Sequence, residues 1–390
     1  MSKEKIPKGW GIFKVKDIFD RVRNPVEVIK DEKYTQIGIR SHGKGIFYKE
    51  AVTGEQLGNK SVFWVEPDCF IVNIVFAWEM AVARTTDKDR GYIASHRFPM
   101  YRPKKGVLDL DFITYLFKSP RGKYLLNLAS PGGAGRNKTL GQKEFEEVEI
   151  LLPTDIKEQK KIASVLITSD KLIKGKEELI KPVEKQMNGL MQKLLRGEIR
   201  LPGFRDEWTK EKLGNVARVI MGQSPNSDSY NDSKEGIPLI QGNADIKNRR
   251  TIPRTWTTTP TKICMPGDIL MTVRAPVGSI AFSEHEACIG RGVCAIKGTI
   301  NQDYLYYQLI RKENMWGKIA QGSTFEAVNS NDIKELIINV PPEEEQIAIS
   351  KVLQVFDRNL SLLYKELEEL NNQKKALMQQ LLTGKTRIKV

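Results

Sequence analysis

The chain has 390 residues, with 62 Lys and Arg against 48 Asp and Glu, and its formal net charge is +14. This length predicts two to four domains, and the basic excess favours an anionic partner such as nucleic acid and argues against cationic partners. The longest nearly apolar run, Cys69 to Trp78, is about half of the ~20 residues that a membrane-spanning helix needs, so we interpret it as a buried strand. The N-terminal segment shows no secretory signal, and we expect a cytoplasmic protein.

The cysteines are too sparse for a disulfide scaffold, contain no CxxC pair, and are expected to be reduced thiols. They are Cys69, Cys264, Cys288 and Cys294. His285 could join Cys288 and Cys294 at a zinc ion, but the spacing matches no standard structural site. We therefore expect no metal, and interpret Cys288 and Cys294 as small hydrophobes on the inner face of one strand.

The sequence contains an internal repeat of about half its length. The matched positions are Trp10 with Trp208, Val82-Ala83 with Ile280-Ala281, Asp111 with Asp303, and Pro153 with Pro341. The spacing falls from 198 residues at the first two pairs to 192 and then 188, and it is 187 over the remaining matches. A repeat that keeps its order while the spacing shrinks in one direction indicates a tandem duplication.

Residues 1–153 predict a mixed domain of short strands and helices. This part of the chain is rich in Gly, Pro, aromatic and β-branched residues, and short apolar runs such as Cys69 to Val75 end at turn residues. Asp109 to Lys118 predicts a short helix, because aromatic and aliphatic residues recur there at intervals of three and four. We expect these aromatic side chains to lie in the core.

Residues 154–200 predict a long helix with apolar residues spaced by seven. These residues are Leu166, Ile173, Ile180, Met187 and Leu194. Leu172 and Leu179 add a flanking apolar row. Pro182 removes an intrahelical hydrogen bond, so we expect a kink or break there, while Gly197 stands where a C-terminal cap belongs.

Residues 201–341 predict a second mixed domain, and residues 342–390 a second long helix. The domain repeats the short apolar runs, as in Asp268 to Val273, and a short helix over Asn301 to Arg311. The second helix has apolar residues at both seam positions of the heptad and Gly384 at its C-terminal cap. The seam residues are Leu353, Phe356, Leu360, Leu363, Leu367, Leu370, Leu377 and Leu381.

The predicted fold is α+β: two mixed α/β domains related by pseudo-twofold symmetry and separated by two long helices. We expect these helices to pack on each other as an antiparallel coiled coil, forming a spacer ~57 Å long at ~1.5 Å per residue. A basic chain with two globular domains held apart has the geometry of a bipartite DNA reader, since dimeric readers place half-sites about one turn of duplex apart or multiples of it. The copies differ, so the half-sites need not be palindromic.

This layout resembles the specificity subunit of a type I restriction-modification enzyme, in which two target recognition domains alternate with two conserved helical regions. The resemblance rests on the order of several motifs, which occurs twice. They are Pro153 to Ile162 with Glu158-Gln159, Pro341 to Ile349 with Glu345-Gln346, Pro202-Gly203-Phe204 before Trp208, Gly236 to Ile246, Gly267 to Arg274, and Leu-Leu-x-Gly at each helix end. The first domain has Pro67-Asp68 in place of Gly267-Asp268.

The resemblance implies a non-catalytic chain that selects the DNA sequence for other subunits. It would bind two DNA methyltransferase subunits, which carry AdoMet, and in the full complex restriction subunits that use ATP and Mg. The assembled complex would be an adenine DNA methyltransferase and an ATP-dependent endonuclease, with no cofactor in this chain. The polar helix faces, including Lys365, Glu368 and Lys375, are either the methyltransferase dock or ordinary solvated surface.

The residues also argue against catalysis in this chain. It has no Asn-Pro-Pro-Tyr or Asp-Pro-Pro-Tyr tetrapeptide and no FxGxG-like AdoMet loop. The run Pro131 to Thr139 is similar to a phosphate loop, but Asn137 replaces the second required glycine. His42, His96 and His285 are scattered along the sequence, and no paired carboxylates suit acid–base work.

We expect DNA contacts from polar and basic residues on loops, because these side chains match base edges and phosphates. In the first domain they are Arg40, Ser41, His42, Lys44, Arg136, Asn137, Lys138 and Thr139. In the second domain they are Gln241, Asn243, Lys247, Asn248, Arg249, Arg250, Arg274, Arg291, Ser323 and Thr324. The alternative function is a free-standing coiled-coil DNA-binding or architectural protein, which would copurify with no methyltransferase.

Overall fold

The computed structural model describes residues 6–58, 60–132, 138–316 and 327–388. The chain forms two compact units, the first made of Met1–Glu177 and Lys365–Val390, the second of Glu178–Tyr364. Each unit therefore contains one globular domain and one part of each long helix. No helix in the described part of the chain is both long and apolar enough to cross a membrane.

Among its described residues, the first globular domain has ten strands and five short α-helices, after which the first long helix begins. Its strands are β1 (Trp10–Lys14), β2 (Phe19–Val22), β3 (Lys33–Ile39), β4 (Ile46–Thr53), β5 (Val62–Trp64), β6 (Phe70–Val72), β7 (Val82–Arg84), β8 (Ile93–Ser95), β9 (Met100–Pro103) and β10 (Glu149–Pro153). The helices are α1 (Val15–Ile18), α2 (Gly54–Leu57), α3 (Leu110–Phe117), α4 (Pro120–Leu128), α5 (Gln142–Glu146) and the long α6 (Ile156–Arg196).

The second globular domain has the same kinds of element and leads into the second long helix. Its strands are β11 (Thr209–Lys212), β12 (Ala217–Met221), β13 (Tyr230–Asn231), β14 (Ile237–Ile240), β15 (Ile246–Lys247), β16 (Arg250–Thr251), β17 (Thr255–Thr257), β18 (Ile263–Cys264), β19 (Ile269–Thr272), β20 (Ile280–Phe282), β21 (Ala287–Ile289), β22 (Val293–Gly298) and β23 (Ile337–Val340). The helices are α7 (Leu213–Val216), α8 (Gln302–Arg311), α9 (Ser330–Lys334) and the long α10 (Glu343–Leu381).

The two globular domains share one strand order. The order β2-β9-β6-β7 in the first corresponds to β12-β22-β19-β20 in the second, and β4-β3-β8-β5 corresponds to β17-β14-β21-β18. In both domains a parallel pair, β3 with β8 and β14 with β21, lies at the centre of the second sheet. The second domain adds β13, β15 and β16 at sheet edges. Two domains with the same strand order are the expected product of the duplication.

The predicted short helices are confirmed, and the sequence explains their starts. The side chains of Asp109 and Asn301 each accept a 2.9 Å hydrogen bond from a backbone N–H in the first turn of α3 and α8, which is the usual N-cap contact. The aromatic residues of both helices lie in the core, as expected. Tyr115 donates a 2.6 Å hydrogen bond to Asp170 on α6, and Tyr307 donates one to Asp357 on α10.

Within each unit, α6 and α10 pack in opposite directions. In the first unit Leu166 shares a core with Leu381, while Lys176, further along α6, contacts Glu366, earlier on α10, at 2.6 Å. In the second unit Glu184 accepts a hydrogen bond from Tyr364. There the core holds Met187, Leu194, Leu353, Phe356 and Leu360. The predicted antiparallel pairing is present in both units.

The predicted seam residues are all shielded from solvent to some degree. Leu166, Ile173, Ile180, Met187, Leu194, Leu353 and Leu381 are buried, and Phe356, Leu360, Leu363, Leu367, Leu370 and Leu377 are half-buried. The flanking row is not covered, because Leu172 and Leu179 are 57% and 59% exposed.

Three local expectations were wrong or too broad. Of the kink or break expected at Pro182, the break does not occur: α6 is continuous there, since a proline in a helix removes one hydrogen bond while the other turns remain bonded. Cys288 and Cys294 are buried on two different strands, β21 and β22, joined by a glycine-containing turn. In the apolar run Cys69 to Trp78, the strand covers only Phe70–Val72.

Candidate nucleic-acid interface

In the second domain, four loops meet at one edge of the two main sheets, which we call the second loop edge. The end of β12 pairs with the start of β22, and this start also pairs with the end of β19. The parallel strands β14 and β21 end side by side. The loops after β12, β14 and β19, together with the turn between β21 and β22, therefore lie next to one another.

Glycines allow the close approach of these loops. The backbone N–H of Gly222 donates to the Val293 carbonyl at 2.9 Å. A Cβ on Gly222 would lie 2.2 Å from the Gly290 oxygen, and a Cβ on Gly292 would lie 2.2 Å from the Gln241 oxygen. Only a residue without a side chain fits such contacts, so the Gly-rich sequence of these loops keeps them together.

Polar and basic side chains project from the second loop edge. The exposed ones are Gln223, Gln241, Asn243, Arg274 and Arg291. Within the described ranges, neither arginine has an ion pair with a carboxylate, and the nearby Asp245 is buried and bonded to Arg254 at 2.9 Å. Arginine and side-chain amides can make two hydrogen bonds to one base edge, so this surface suits a DNA duplex.

The first domain has the equivalent surface, which we call the first loop edge. Its loops follow β2, β3, β6 and β8, the counterparts of β12, β14, β19 and β21. The predicted Arg40–Lys44 segment is the loop between β3 and β4. Arg23 follows β2 and His96-Arg97 follows β8, and all three side chains are exposed. This edge is more basic than the second one.

The Arg40–Lys44 loop is held by hydrogen bonds to the loop after β6. The backbone N–H of His42 donates to the Glu79 carbonyl at 2.7 Å, and the Ser41 hydroxyl donates to the Glu79 carboxylate at 2.8 Å. His42 has a φ of 60°, a value that a tight turn imposes. Arg40 lies over the Phe47 ring at 5.0 Å. The exposed side chains of Arg40, His42 and Lys44 are thus carried by an anchored backbone.

Two described residues that follow the predicted contact segments 136–139 and 323–324 are bonded to the loop edges. The backbone N–H of Leu140 donates to the Ile74 carbonyl at 2.8 Å, and that of Val328 donates to the Val273 carbonyl at 3.0 Å. Thr139, next to Leu140, is exposed, and Lys138 donates to Asn127 at 3.0 Å. The other predicted contacts in these turns, Arg136, Asn137, Ser323 and Thr324, lie outside the described residues.

The predicted contacts from Lys247 to Arg250 lie on the β15–β16 hairpin, and their two arginines already have protein partners. Asn248 and Arg249 form the two-residue turn with φ values of 51° and 59°, as this hairpin type requires. The Arg249 guanidinium makes two hydrogen bonds to Glu313, at 2.6 and 2.9 Å. Arg250 lies 3.6 Å from Glu284. The hairpin is an addition at the sheet edge, without a counterpart among the described strands of the first domain.

Sequence reasoning missed Arg97 and Gln223, which the structure places at the loop edges. The repeat contained a signal for Arg97: it precedes Arg291 by 194 residues, a spacing between the 198 and 192 of the flanking matched pairs. Both arginines follow the equivalent strands β8 and β21. Gln223 carries no comparable signal, because the residue 198 positions before it is Pro25.

The structure also gives a role to the Glu-Gln motifs, which sequence reasoning noted without a function. In the second unit Glu345 has a fully buried side chain that accepts hydrogen bonds from Arg200 at 2.6 and 2.7 Å and from the Trp208 indole at 2.9 Å. The neighbouring Gln346 accepts from the Asn301 N–H at 3.0 Å and donates to the Pro341 carbonyl at 2.7 Å. The motif thus joins α10 to the globular domain.

The first unit repeats this arrangement with residues from the two ends of the chain. Glu158 accepts from Arg387 at 2.6 and 2.7 Å and from the Trp10 indole at 3.4 Å. Arg200 and Arg387 each follow a helix-ending glycine, Gly197 or Gly384, with φ near +70°, as predicted for C-terminal caps. We call each Glu–Arg–Trp cluster a clasp.

Two of the buried cysteines do not resemble activated nucleophiles. Burial raises the pKa of the Cys294 thiol to about 12 and also raises the pKa of Cys264, which makes both thiols poorer nucleophiles. In the described ranges, no group of three or more His, Cys, Asp or Glu residues is placed to hold a metal ion. His285 instead contacts the Thr251 hydroxyl at 3.1 Å.

Comparison with known proteins gives a consistent result over nearly the whole chain. A family model described as type I restriction modification DNA specificity domain matches twice, over residues 7–185 and 205–372. A putative type I restriction enzyme MjaX specificity subunit of Methanocaldococcus jannaschii is 29% identical over 412 aligned residues, covering 98% of this chain and 95% of the relative. The MjaVIII specificity subunit of the same organism is 23% identical, covering 99% and 95%.

Solved structures show the same fold. A chain from a study of complex assembly and conformational transition of the type I restriction-modification system has a TM-score of 0.65 at 24% identity, covering 98% of this chain and 100% of that one. The type I restriction-modification S subunit from M. genitalium has a TM-score of 0.63 at 16% identity, covering 98% of each chain.

Proposed function

The chain belongs to the type I restriction-modification DNA specificity family, and we propose that its two loop edges each read one half of a bipartite, asymmetric DNA site. The first edge would read with Arg40, His42, Lys44 and Arg97. The second would read with Gln223, Gln241, Asn243, Arg274 and Arg291. Specificity subunits recognise DNA and leave the chemistry to other subunits, so the chain itself has a non-catalytic role.

The observation that carries this proposal is the contrast between a shared scaffold and different edges. The strand order of the two domains is the same, whereas the side chains that project from equivalent loops differ in type and charge. Base-specific hydrogen bonds depend on the donor and acceptor pattern of each side chain. Two different edges on one scaffold therefore select two different sequences.

We also assign partner subunits from the resemblance and from the helix surfaces. Two DNA methyltransferase subunits would supply AdoMet and transfer methyl groups to adenine, and restriction subunits with ATP and Mg would supply the endonuclease. Exposed leucines on α6, Leu172 and Leu179, and an exposed pair on α10, Val355 and Leu362, support a partner on the helices, because apolar residues at heptad spacing form helix contacts.

The function is tested by mapping methylated adenines in cells with and without this chain. We expect methylation at a two-part sequence that disappears when the chain is deleted, although the methyltransferase gene remains intact. Copurification with a methyltransferase is the parallel measurement. The free-standing DNA-binding or architectural alternative is not favoured by the family comparison, and it predicts unchanged methylation and no copurifying methyltransferase.

A further inference from the structure

A basic cavity in the second unit has no role in the recognition described above. It lies between the C-terminal part of α6 and the residues that end and follow α8, and its volume is about 400 Å³. The lining residues are Gln192, Arg196, Arg311, Lys312, Asn314 and Met315. Three of these six residues are cations, and none is an acid.

The positive charges of this cavity are poorly compensated. The Nε of Arg311 is buried and has no hydrogen-bond partner among the described residues, although its Nη2 donates to the Gln308 oxygen at 3.0 Å. Glu198 contacts Arg196 at 3.4 Å, at an exposed position. Burial and the neighbouring arginines lower the pKa of Lys312, and burial and Arg196 lower the pKa of Arg311. The positive charges of Arg196, Arg311 and Lys312 repel one another, and an anion bound in the cavity would stabilise their charged forms.

The first unit does not contain this cluster. Tyr115 and Tyr307 occupy equivalent places, since both bond an aspartate on a long helix. At the same spacing of 192 residues, Ser119 and Pro120 correspond to Arg311 and Lys312 of the second unit. The serine caps α4 by accepting a hydrogen bond from Gly122 at 3.2 Å. The cavity charges are therefore not a structural requirement of the duplicated fold.

The cavity is joined to the second loop edge by the residues that follow it. Trp316 is fully buried and lies against Gly278, where a Cβ would be 2.6 Å from the indole. Gly278 belongs to the loop after β19, which also carries Arg274 at the edge. Glu313 accepts a 2.8 Å hydrogen bond from the Ile280 N–H at the end of that loop. The residues that follow the cavity therefore pack directly against the loop that carries Arg274.

We propose that Arg196, Arg311 and Lys312 form a phosphate-binding site for one phosphodiester of the DNA backbone, beside the half-site read by the second loop edge. A phosphodiester has two unbridged oxygens, which match the forked donors of arginine. The site adds affinity without reading bases. This inference rests on the proposed DNA recognition and adds an anchor that only the second copy has.

The test uses the full-length chain and a duplex that contains its selected site. Lys312→Gln and Arg311→Gln each remove a cavity charge, and Lys193→Gln removes an exposed charge from the same α6 helix outside the cavity. We expect each cavity variant to lower the slope of log K against log salt by about 0.9, the value for one lost phosphate contact, and to weaken binding about tenfold. Lys193→Gln is expected to keep the wild-type slope.

A duplex series with single uncharged methylphosphonates locates the contact. One substitution is expected to weaken the wild-type chain and to weaken Lys312→Gln less, because that variant has already lost one of the three cations that contact the phosphate. Lys312 makes no side-chain hydrogen bond within the described residues, so this variant is expected to melt at the wild-type temperature.

Two results would count against the site in different ways. If the chain binds its selected site and both cavity variants keep the wild-type slope of log K against log salt, the phosphate site alone is overturned. The same result is expected if the cavity instead binds an acidic side chain of a partner protein. A wild-type chain that selects no DNA sequence would overturn both the proposed function and this site.

Discussion

The two globular domains have the same strand order but present different surfaces at equivalent loops. The first loop edge carries Arg23, Arg40, Lys44 and Arg97, whereas the second carries mainly amides with Arg274 and Arg291. The buried framework, including both clasps and both Tyr–Asp pairs, is nearly the same. Contacts common to both copies thus hold each domain on its helices, while the exposed side chains of the two edges differ.

The largest expected effect comes from exchanging one recognition surface. Replacing residues 209–340 with those of another specificity subunit keeps Trp208, Arg200 and Glu345, so the clasp can form. We expect a complete change in one half of the selected DNA sequence and none in the other, because each edge reads separately. Selection from a random duplex pool measures this, and a change in both halves would contradict two independent readers.

The clasps are expected to make the next largest contribution, through stability. Arg200→Met leaves the fully buried Glu345 carboxylate without its cation, and breaking such a pair typically costs about 3–5 kcal/mol in the free energy of unfolding. We expect a value near the lower end, since the Arg200 side chain is 28% exposed, and a smaller loss for Arg387→Met, whose side chain is 41% exposed. Urea unfolding is the measurement.

Arg205→Met is the matched control for the clasp variants. Arg205 is exposed and lies five residues after Arg200, so its loss should change the free energy of unfolding by less than about 0.5 kcal/mol. Equal losses in Arg205→Met and Arg200→Met would contradict a specific role of the clasp.

The equivalent arginines Arg97 and Arg291 test the correspondence between the edges. If each makes a base contact, Arg97→Gln and Arg291→Gln should each cost about 1–3 kcal/mol in binding and relax selection at one base position. The relaxed position should lie in a different half-site for each variant. Lys123→Gln, at an exposed position on α4, is the control, and relaxation in the same half-site by both variants would refute the correspondence.

The hairpin of the second domain should have the smallest effect on DNA binding. Arg249 is held by Glu313, so Arg249→Ala is expected to leave the salt slope unchanged, while Arg250→Ala lowers it by at most ~0.9. A fall of ~1.8 in the double variant would show that both arginines leave their carboxylate partners to bind phosphates.

Much of the fold was predictable because the sequence patterns that indicate its helices and its duplication are local or periodic. The heptads predicted both long helices, and aromatic and aliphatic residues at intervals of three and four predicted the short helices over Asp109 to Lys118 and Asn301 to Arg311. The duplication predicted that the two domains would have one architecture. The break considered at Pro182 does not occur, since tertiary packing along the rest of a long helix can hold a proline that a short helix would not tolerate.

The candidate site was only partly predictable. Gln241 and Arg291 were predicted because they stand beside glycines in polar loops, and Arg274 because it is a basic residue at the end of the Gly267 to Arg274 motif; the structure places all three at one loop edge. Arg249 looked equally suitable in sequence, yet its guanidinium is used inside the domain by Glu313, 64 residues away. Whether a basic side chain is available to DNA depends on such distant partners, which no local pattern reveals.

The sequence by itself determined the duplication, the helical seams, the family resemblance and the basic character that suits DNA. These features depend on residue identity at short or regular spacing. Only the tertiary structure decided which loops share an edge, that Arg200 and Arg387 hold the buried glutamates, and that three cations surround one cavity. Each of these depends on strand pairing and helix packing between residues far apart in the chain, where burial and hydrogen bonding select the partner.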